Sequence, residues 1–245
     1  MTIIFAHRGY SVKYPENTML AFQEAAKEGA DGIELDVQLS KDGEVVVIHD
    51  EKVNRTTNGK GYVKDLTLEE LRKLDAGHLM KSITKKQPIP SLREVLEWMT
   101  TNEIICNIEL KNNVLPYEGM EEKVIQMVRE YHLSKRIIIS SFNHYSIVKS
   151  YRIAPEIEIA PLLGNAVYMP WVYAQSIRAK GIHPKYTAYR SDILQSTLEN
   201  GIEVRPYTVN KEKDMEKLFE KGSSAIITDD PVLALKVKHK SSLGK

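Results

Sequence analysis

Runs of β-branched and other apolar residues recur along the chain, and each is followed by a stretch whose apolar positions repeat every three to four residues. This alternation predicts strands over residues 3–7, 32–36, 45–49, 104–110, 136–141, 157–162, 181–183, 202–208 and 225–228. It predicts helices over 18–28, 92–100, 120–131, 145–152, 171–180, 192–200, 211–221 and 232–239, with Gly29, Gly181, Gly201 and Gly222 as stop signals. Strands and helices taking turns describe a parallel sheet wrapped by helices, an α/β fold, and its closed form is the (β/α)8 TIM-type barrel.

Nine strand runs compete for eight barrel places. The connection over 37–44 is too short for a helical crossover, and Lys41-Asp42-Gly43 reads as a tight turn. Either one crossover lacks its helix or a short run such as 181–183 is irregular. Residues 51–90 are rich in turn signals, with Asn58-Gly59, Gly61, Gly77 and Pro88-Ile89-Pro90, and read as a small rim insertion after the third strand. A short helix is expected within it at 68–74, and the segment is either part of the substrate entrance or a surface loop without a chemical role. With 245 residues, a single barrel domain spanning 1–245 is the expectation.

Composition narrows the partners. A formal net charge of +1 offers no broad basic surface, so no nucleic-acid partner is expected. No apolar run is long enough to serve as a signal peptide or span, so no stable membrane anchor and a cytoplasmic location are expected. The single cysteine, Cys106, cannot form an internal disulfide and reads as a packing residue.

The chemistry gathers at strand ends. Side chains alternate along a strand, so Glu34 and Asp36 share one face, and Asn107, Glu109 and Lys111 share another while Cys106, Ile108 and Leu110 meet the helices. Three carboxylates brought together inside a barrel are costly without a compensating cation, so Glu34, Asp36 and Glu109 make a candidate metal site. All-oxygen ligands favour one hard divalent ion, Mg²⁺ or Ca²⁺. His7 and His49 each end a predicted strand and precede a charged residue, which suits an acid and base pair working near neutral pH. Arg8 offers a planar donor fork for phosphate oxygens and Lys111 a point charge, unless Lys111 is simply the ion-pair partner of Glu109.

In order along nearly the whole chain stand His7-Arg8-Gly9, Pro15-Glu16-Asn17-Thr18, Glu34-Leu35-Asp36, His49-Asp50 with Arg55-Thr56-Thr57, and Glu109-Leu110-Lys111. Ser141-Phe142, Tyr207-Thr208-Val209-Asn210 and Thr228-Asp229-Asp230-Pro231 follow. This ordered set resembles the bacterial glycerophosphodiester phosphodiesterases of the phospholipase-C-like phosphodiesterase superfamily. The resemblance implies that His7 and His49 are the catalytic acid and base and that Glu34, Asp36 and Glu109 hold the metal. It also implies that Arg8 and Lys111 bind phosphate. Glu16, with Asp50 and Phe142, would support the site from behind; Asn17 reads equally well as a helix N-cap, and Ser141-Phe142 as a strand end. His183 and Tyr207 are candidate substrate contacts. Tyr207 stands where the family often has tryptophan, and Tyr10 where a smaller residue is frequent, which bears on diester preference. The implied reaction releases sn-glycerol 3-phosphate and an alcohol such as choline or ethanolamine, with the glycerol 2-hydroxyl attacking to give a cyclic phosphate that water opens. Rival readings are a lysophospholipase-D-like or lyase activity on lysolipids, and a non-catalytic phosphoester-binding barrel.

Overall fold

Strand and helix alternate as the periodicity requires, and the strands curl into a nearly closed barrel in the computed structural model, which describes residues 2–80 and 82–243. The first half runs β1 (Ile3–His7), α1 (Met19–Lys27), β2 (Gly32–Leu39), β3 (Val45–Val47), α2 (Leu68–Lys73), α3 (Leu92–Met99), β4 (Ile105–Leu110) and α4 (Met120–Glu130). The second half runs β5 (Ile137–Ser141), α5 (His144–Ile153), β6 (Glu158–Leu163), α6 (Pro170–Ser176), β7 (Gly181–Pro184), α7 (Ser191–Glu199), β8 (Glu203–Val204), α8 (Glu212–Glu220), β9 (Ala225–Thr228) and α9 (Pro231–Leu243). Strand order is β8-β7-β6-β5-β4-β2-β1-β9, all parallel. Between β8 and β9, Ser224 N donates to Val204 O at 3.0 Å and Ile227 N to Pro206 O at 2.9 Å, drawing the ends of the sheet together.

The ninth strand resolves the surplus. β3 pairs antiparallel with β2, Val37 opposite Val47 and Leu39 opposite Val45, and stands outside the barrel. β2 overshoots the rim, and Ser40 and Gly43 close the turn back, with Gly43 N donating to Ser40 O at 2.9 Å. The short run at 181 is a regular barrel strand, paired to both β6 and β8.

Other expectations need correction. Gly181 is no helix stop: it lies in β7, where a Cβ would come within 2.7 Å of Arg205 Nη1, and the left-handed residue after α6 is Arg178 at φ 64°. The strand expected over 202–208 pairs regularly only at Glu203–Val204, because Pro206 has no N–H to give a ladder. Thr18, not Asn17, caps α1: its hydroxyl accepts from Ala21 N at 3.2 Å.

Apolar side chains fill three compartments. The largest lies between barrel and helices and takes in Cys106, Ile108 and Leu110, the outward face expected for β4. A second, built from Val46, Ile48, Val53, Val63, Leu71 and Ile89, packs the 51–90 segment on itself and on β3. Its short helix α2 carries a capping box between Thr67 and Glu70. The third plugs the barrel interior with Phe5, Ile138, Ala160, Ala225 and Ile227, giving the polar residues above it an apolar floor. No helix among the described residues is long and apolar enough to cross a membrane.

Candidate active site

Two adjacent strands, β2 and β4, place the acidic residues, and β1 sets His7 beside them. Asp36 stands level with Glu109 across the β2–β4 pair, and Glu34 is level with His7 across β1–β2. Carboxylate oxygens of Glu34, Asp36 and Glu109 lie within 4.8 Å of one another, and all three side chains are buried. Burial and the charge of Asp36 push Glu34 up to about 8. The same two causes raise Glu109, with Lys111 partly offsetting them. Burial opposes ionisation of Asp36 as well, but Arg8 and Lys111 outweigh it and hold that carboxyl below its usual range. Two cations therefore face three buried carboxyl groups, two of them held back from ionising, in an all-oxygen donor set. These residues fit a hard divalent cation.

His7 closes β1 with Nε2 3.9 Å from Glu34 Oε2 and Nδ1 2.6 Å from Asp229 Oδ1. Burial alone would lower the pKa of His7, yet the hydrogen bond to Asp229 and the charge of Glu34 raise it overall. Asp229 is itself held by Asn210 Nδ2 at 2.5 Å and by Ser11 Oγ at 3.3 Å, and Asn210 Oδ1 accepts from Asp229 N at 2.9 Å. The Tyr207–Asn210 stretch thus acts on His7 through Asp229.

After His7 the chain turns sharply. Arg8 takes φ 55°, which lets its N–H donate to Glu34 Oε2 at 2.9 Å, and Gly9 at φ 80° passes so close to Ala21 that a Cβ would sit 2.7 Å from it. The Arg8 guanidinium donates to Glu16 at 2.9 Å, while its Nε lies 3.3 Å from Asp36 Oδ2 without hydrogen-bond alignment. That leaves a buried donor beside the carboxylates, suited to an incoming anion.

His49 arrives differently from the expectation that it ends a barrel strand. It follows β3, which descends toward the mouth, so the overshoot of β2 and its hairpin deliver it to the level of Asp36, where Ile48 N donates to Asp36 O at 3.0 Å. Its Nδ1 lies 2.6 Å from Asp50 Oδ1, and its Nε2 lies 3.1 Å from Lys111 Nζ. Burial, with Arg8 and Lys111 nearby, lowers the pKa of His49 despite the charge of Asp36. Lys111 also binds Glu109 at 2.8 Å and approaches Asp36 at 3.8 Å, so it is more than the ion-pair partner of one carboxylate.

Support comes from residues that the sequence pattern left without a role. Arg55, from the 51–90 segment, donates to Asp50 at 2.6 and 3.0 Å and to both oxygens of Glu16 at 2.7 and 2.8 Å. Burial opposes ionisation of Asp50, but its hydrogen bonds with Arg55 and His49 hold its pKa at about 2. One arginine therefore ties the His49 side of the site to the Arg8 side. Asn17, at φ 56°, donates to Asp36 Oδ2 at 2.9 Å. Asn17, Arg55 and Asp229 stand in the ordered motifs, but their partners Asp36, Glu16 and His7 are distant in sequence and no local periodicity reports the contacts.

The remaining candidates separate. Phe142 and Tyr207 meet edge to face, 6.1 Å between ring centroids, and form an aromatic wall at the mouth. Ser141 serves the strand end, donating to Leu110 O at 2.8 Å. His183 is fully buried inside the barrel, with Nε2 3.4 Å from Arg205 Nη1; burial and that arginine push its pKa far down. The expected substrate contact at His183 is therefore withdrawn, because a neutral, enclosed imidazole cannot reach a molecule in the mouth. Tyr10 packs into the core against Tyr14 rather than facing the site.

Known proteins are similar to this chain in sequence and in fold. A Glycerophosphodiester phosphodiesterase of Caldanaerobacter subterraneus subsp. tengcongensis is 46% identical over 230 residues, covering 94% of this chain and 95% of that protein. Another, from Bacillus altitudinis, is 45% identical over 241 residues, covering 97% and 98%. Among solved structures, an Oleispira antarctica phosphodiesterase in complex with the product sn-glycerol-3-phosphate superposes with a TM-score of 0.86 at 29% identity, covering 97% of this chain and 96% of that one. The sequence profile of the Glycerophosphoryl diester phosphodiesterase family matches residues 7–233. The chain belongs to that family.

Proposed function

We propose that this chain hydrolyses glycerophosphodiesters such as glycerophosphocholine and glycerophosphoethanolamine to sn-glycerol 3-phosphate and the free alcohol, with a divalent ion at Glu34, Asp36 and Glu109. One observation carries the reading: two imidazoles, each held at Nδ1 by a carboxylate, turn Nε2 toward a single cluster of acidic and basic groups. Arg8 and Lys111 bind the non-bridging phosphate oxygens, and Tyr207 with Phe142 walls the glycerol side. When bound, the cation supplies Lewis-acid stabilisation of charge on the phosphoryl oxygens.

The two histidines divide the proton work. His49, kept neutral by burial and its cationic neighbours, takes the proton from the attacking hydroxyl at Nε2, and Asp50 steadies the imidazolium that forms. Lys111, which occupies Nε2 at 3.1 Å, must pass to phosphate as substrate enters. His7, kept protonated by Asp229, donates from Nε2 to the departing alkoxide as the P–O bond breaks. The attacking group is the glycerol 2-hydroxyl in a first step, since a tethered hydroxyl reaches effective molarities on the order of 10⁵ M, and water in a second, with the histidines exchanging roles. A binding-only barrel would not need both imidazoles backed by carboxylates.

The test is a panel of glycerophosphodiesters assayed for glycerol 3-phosphate release, with wild type, His7→Ala and His49→Ala, and with and without chelator. Each variant should lose about 10²–10⁴-fold in kcat with an unchanged circular dichroism spectrum. Full turnover in chelator would refute the carboxylate assignment, and normal turnover in either variant would clear that histidine.

A further inference from the structure

Exposed large hydrophobic side chains usually scatter over a soluble protein. Here, among the described residues, all nine stand on segments that follow a strand at the mouth end or on the first turn of the helix after it. Five of them form one side of the mouth: Phe142 and Tyr145 after β5, and Tyr168, Met169 and Val172 after β6. Tyr145 and Tyr168 are 89% and 85% exposed. Of the other four, Val12 follows β1, Val114 follows β4, and Tyr62 and Leu79 belong to the 51–90 segment. This patch joins the catalytic pocket directly, because Phe142 packs on Tyr207 and lies 3.7 Å from the Cβ position of Gly164.

Charge follows the same geography. The loops over 142–143, 164–169 and 185–190 contain no carboxylate. Lys185 on the last of them, and Lys13 beside Val12, are exposed and form no ion pair among the described residues. Exposed tyrosines beside an unpaired lysine, Lys185, on loops without a carboxylate match the headgroup level of an anionic lipid surface. A lipid surface is also where a glycerophosphodiester with a free 2-hydroxyl is released once the acyl chains are removed.

We infer that the β5–β7 side of the mouth is a docking surface for an anionic phospholipid interface, so that the site works against lipid-derived diesters at the place where they are released. The inference rests on the proposed glycerophosphodiester specificity, but its test reads adsorption separately from turnover. Wild type, Tyr145→Ser/Tyr168→Ser and Lys185→Glu are sedimented with vesicles of phosphatidylglycerol and phosphatidylcholine in equal parts, and with vesicles of phosphatidylcholine alone. Hydrolysis of soluble glycerophosphocholine is measured in parallel.

Wild type should co-sediment with the mixed vesicles, and both variants should bind about tenfold more weakly, consistent with the loss of buried apolar area or of one basic contact. Binding of the wild type to phosphatidylcholine alone should be weaker still. Soluble turnover should be the same in all three proteins. Absence of wild-type co-sedimentation overturns the inference, as does binding indifferent to both changes. So does a wild-type dimer in analytical ultracentrifugation that the tyrosine variant dissociates, since the patch would then be an interface between two copies. Vesicle binding without soluble turnover would instead remove the proposed reaction and leave the docking surface standing.

Discussion

Asp229 meets His7 Nδ1 at 2.6 Å across 222 positions of sequence. The contact joins the last strand end to the first and gives one imidazole a carboxylate of its own, on the side away from the acidic cluster. It sets the direction in which His7 departs from an ordinary histidine.

Asp229→Asn should therefore move the pH profile. On the proposed division of proton work, His7, raised in the folded protein, acts as an acid below its pKa and fails above it, so it sets the alkaline limb of kcat/KM; His49, lowered, acts as a base above its pKa and sets the acid limb. Removing the Asp229 charge lowers the His7 pKa and should draw the alkaline limb toward neutrality while the acid limb stays in place. At pH 8 the loss should be about tenfold or more. Profiles of variant and wild type with coincident alkaline limbs would detach Asp229 from this role.

Without metal, stability should fall as pH rises through the neutral range. Glu34 has a folded pKa of about 8 against an ordinary 4.5, so between those values the folded state holds a proton that the unfolded chain has lost. Unfolding is then favoured by increasing pH, by a few kcal/mol at most, on the order of 1.4 kcal/mol per unit. Denaturant titrations in chelator from pH 5 to pH 8 should show the decline, Glu34→Gln should flatten it, and saturating Mg²⁺ or Ca²⁺ should abolish it. A slope that Glu34→Gln leaves unaltered would place its origin elsewhere.

Arg55 holds Glu16 and Asp50 in one fork, and lysine cannot reproduce two bidentate contacts. Arg55→Lys and Arg55→Met should both reduce kcat by about tenfold, with a smaller change in KM, because the histidine and Arg8 lose their alignment rather than their chemistry. Thermal unfolding should shift little, since Arg55 is half exposed. An effect confined to KM would reassign Arg55 to substrate binding.

Inside the barrel, Gly181→Ala should cost about 1–3 kcal/mol. The added methyl meets Arg205 Nη1 at 2.7 Å and Glu203 O at 3.1 Å, and Arg205 is buried and ion-paired to both Glu158 and Glu203. Chemical denaturation measures this directly; an unchanged midpoint would mean that Arg205 has room to withdraw.

What the chain disclosed in advance was whatever strand parity governs. Glu34, Asp36 and Glu109 could be placed together because side chains alternate, and Cys106 could be placed outside for the same reason. The place of β3 outside the barrel was not read off, although the short connection over 37–44 with its Lys41-Asp42-Gly43 turn already spoke against a parallel neighbour. Asn17 and Thr18 are both good caps, and only the packed structure assigns Thr18 to the helix and Asn17 to Asp36. Arg55 and Asp229 lie 39 and 222 positions from partners that give them meaning. The burial of His183 depends on how the closed barrel fills its centre, which no single strand encodes.

The two imidazoles ride on pieces of chain travelling in opposite directions, His7 up β1 and His49 down from β3. The gap between the two imidazoles is therefore set by the register of a hairpin that lies outside the barrel. A one-residue slip of β3 against β2 would move His49 by about 3.3 Å and turn its side chain to the opposite face, while leaving the parallel barrel pairings in place. The placing of one imidazole against the other thus depends on a pairing that the eight parallel strands do not share.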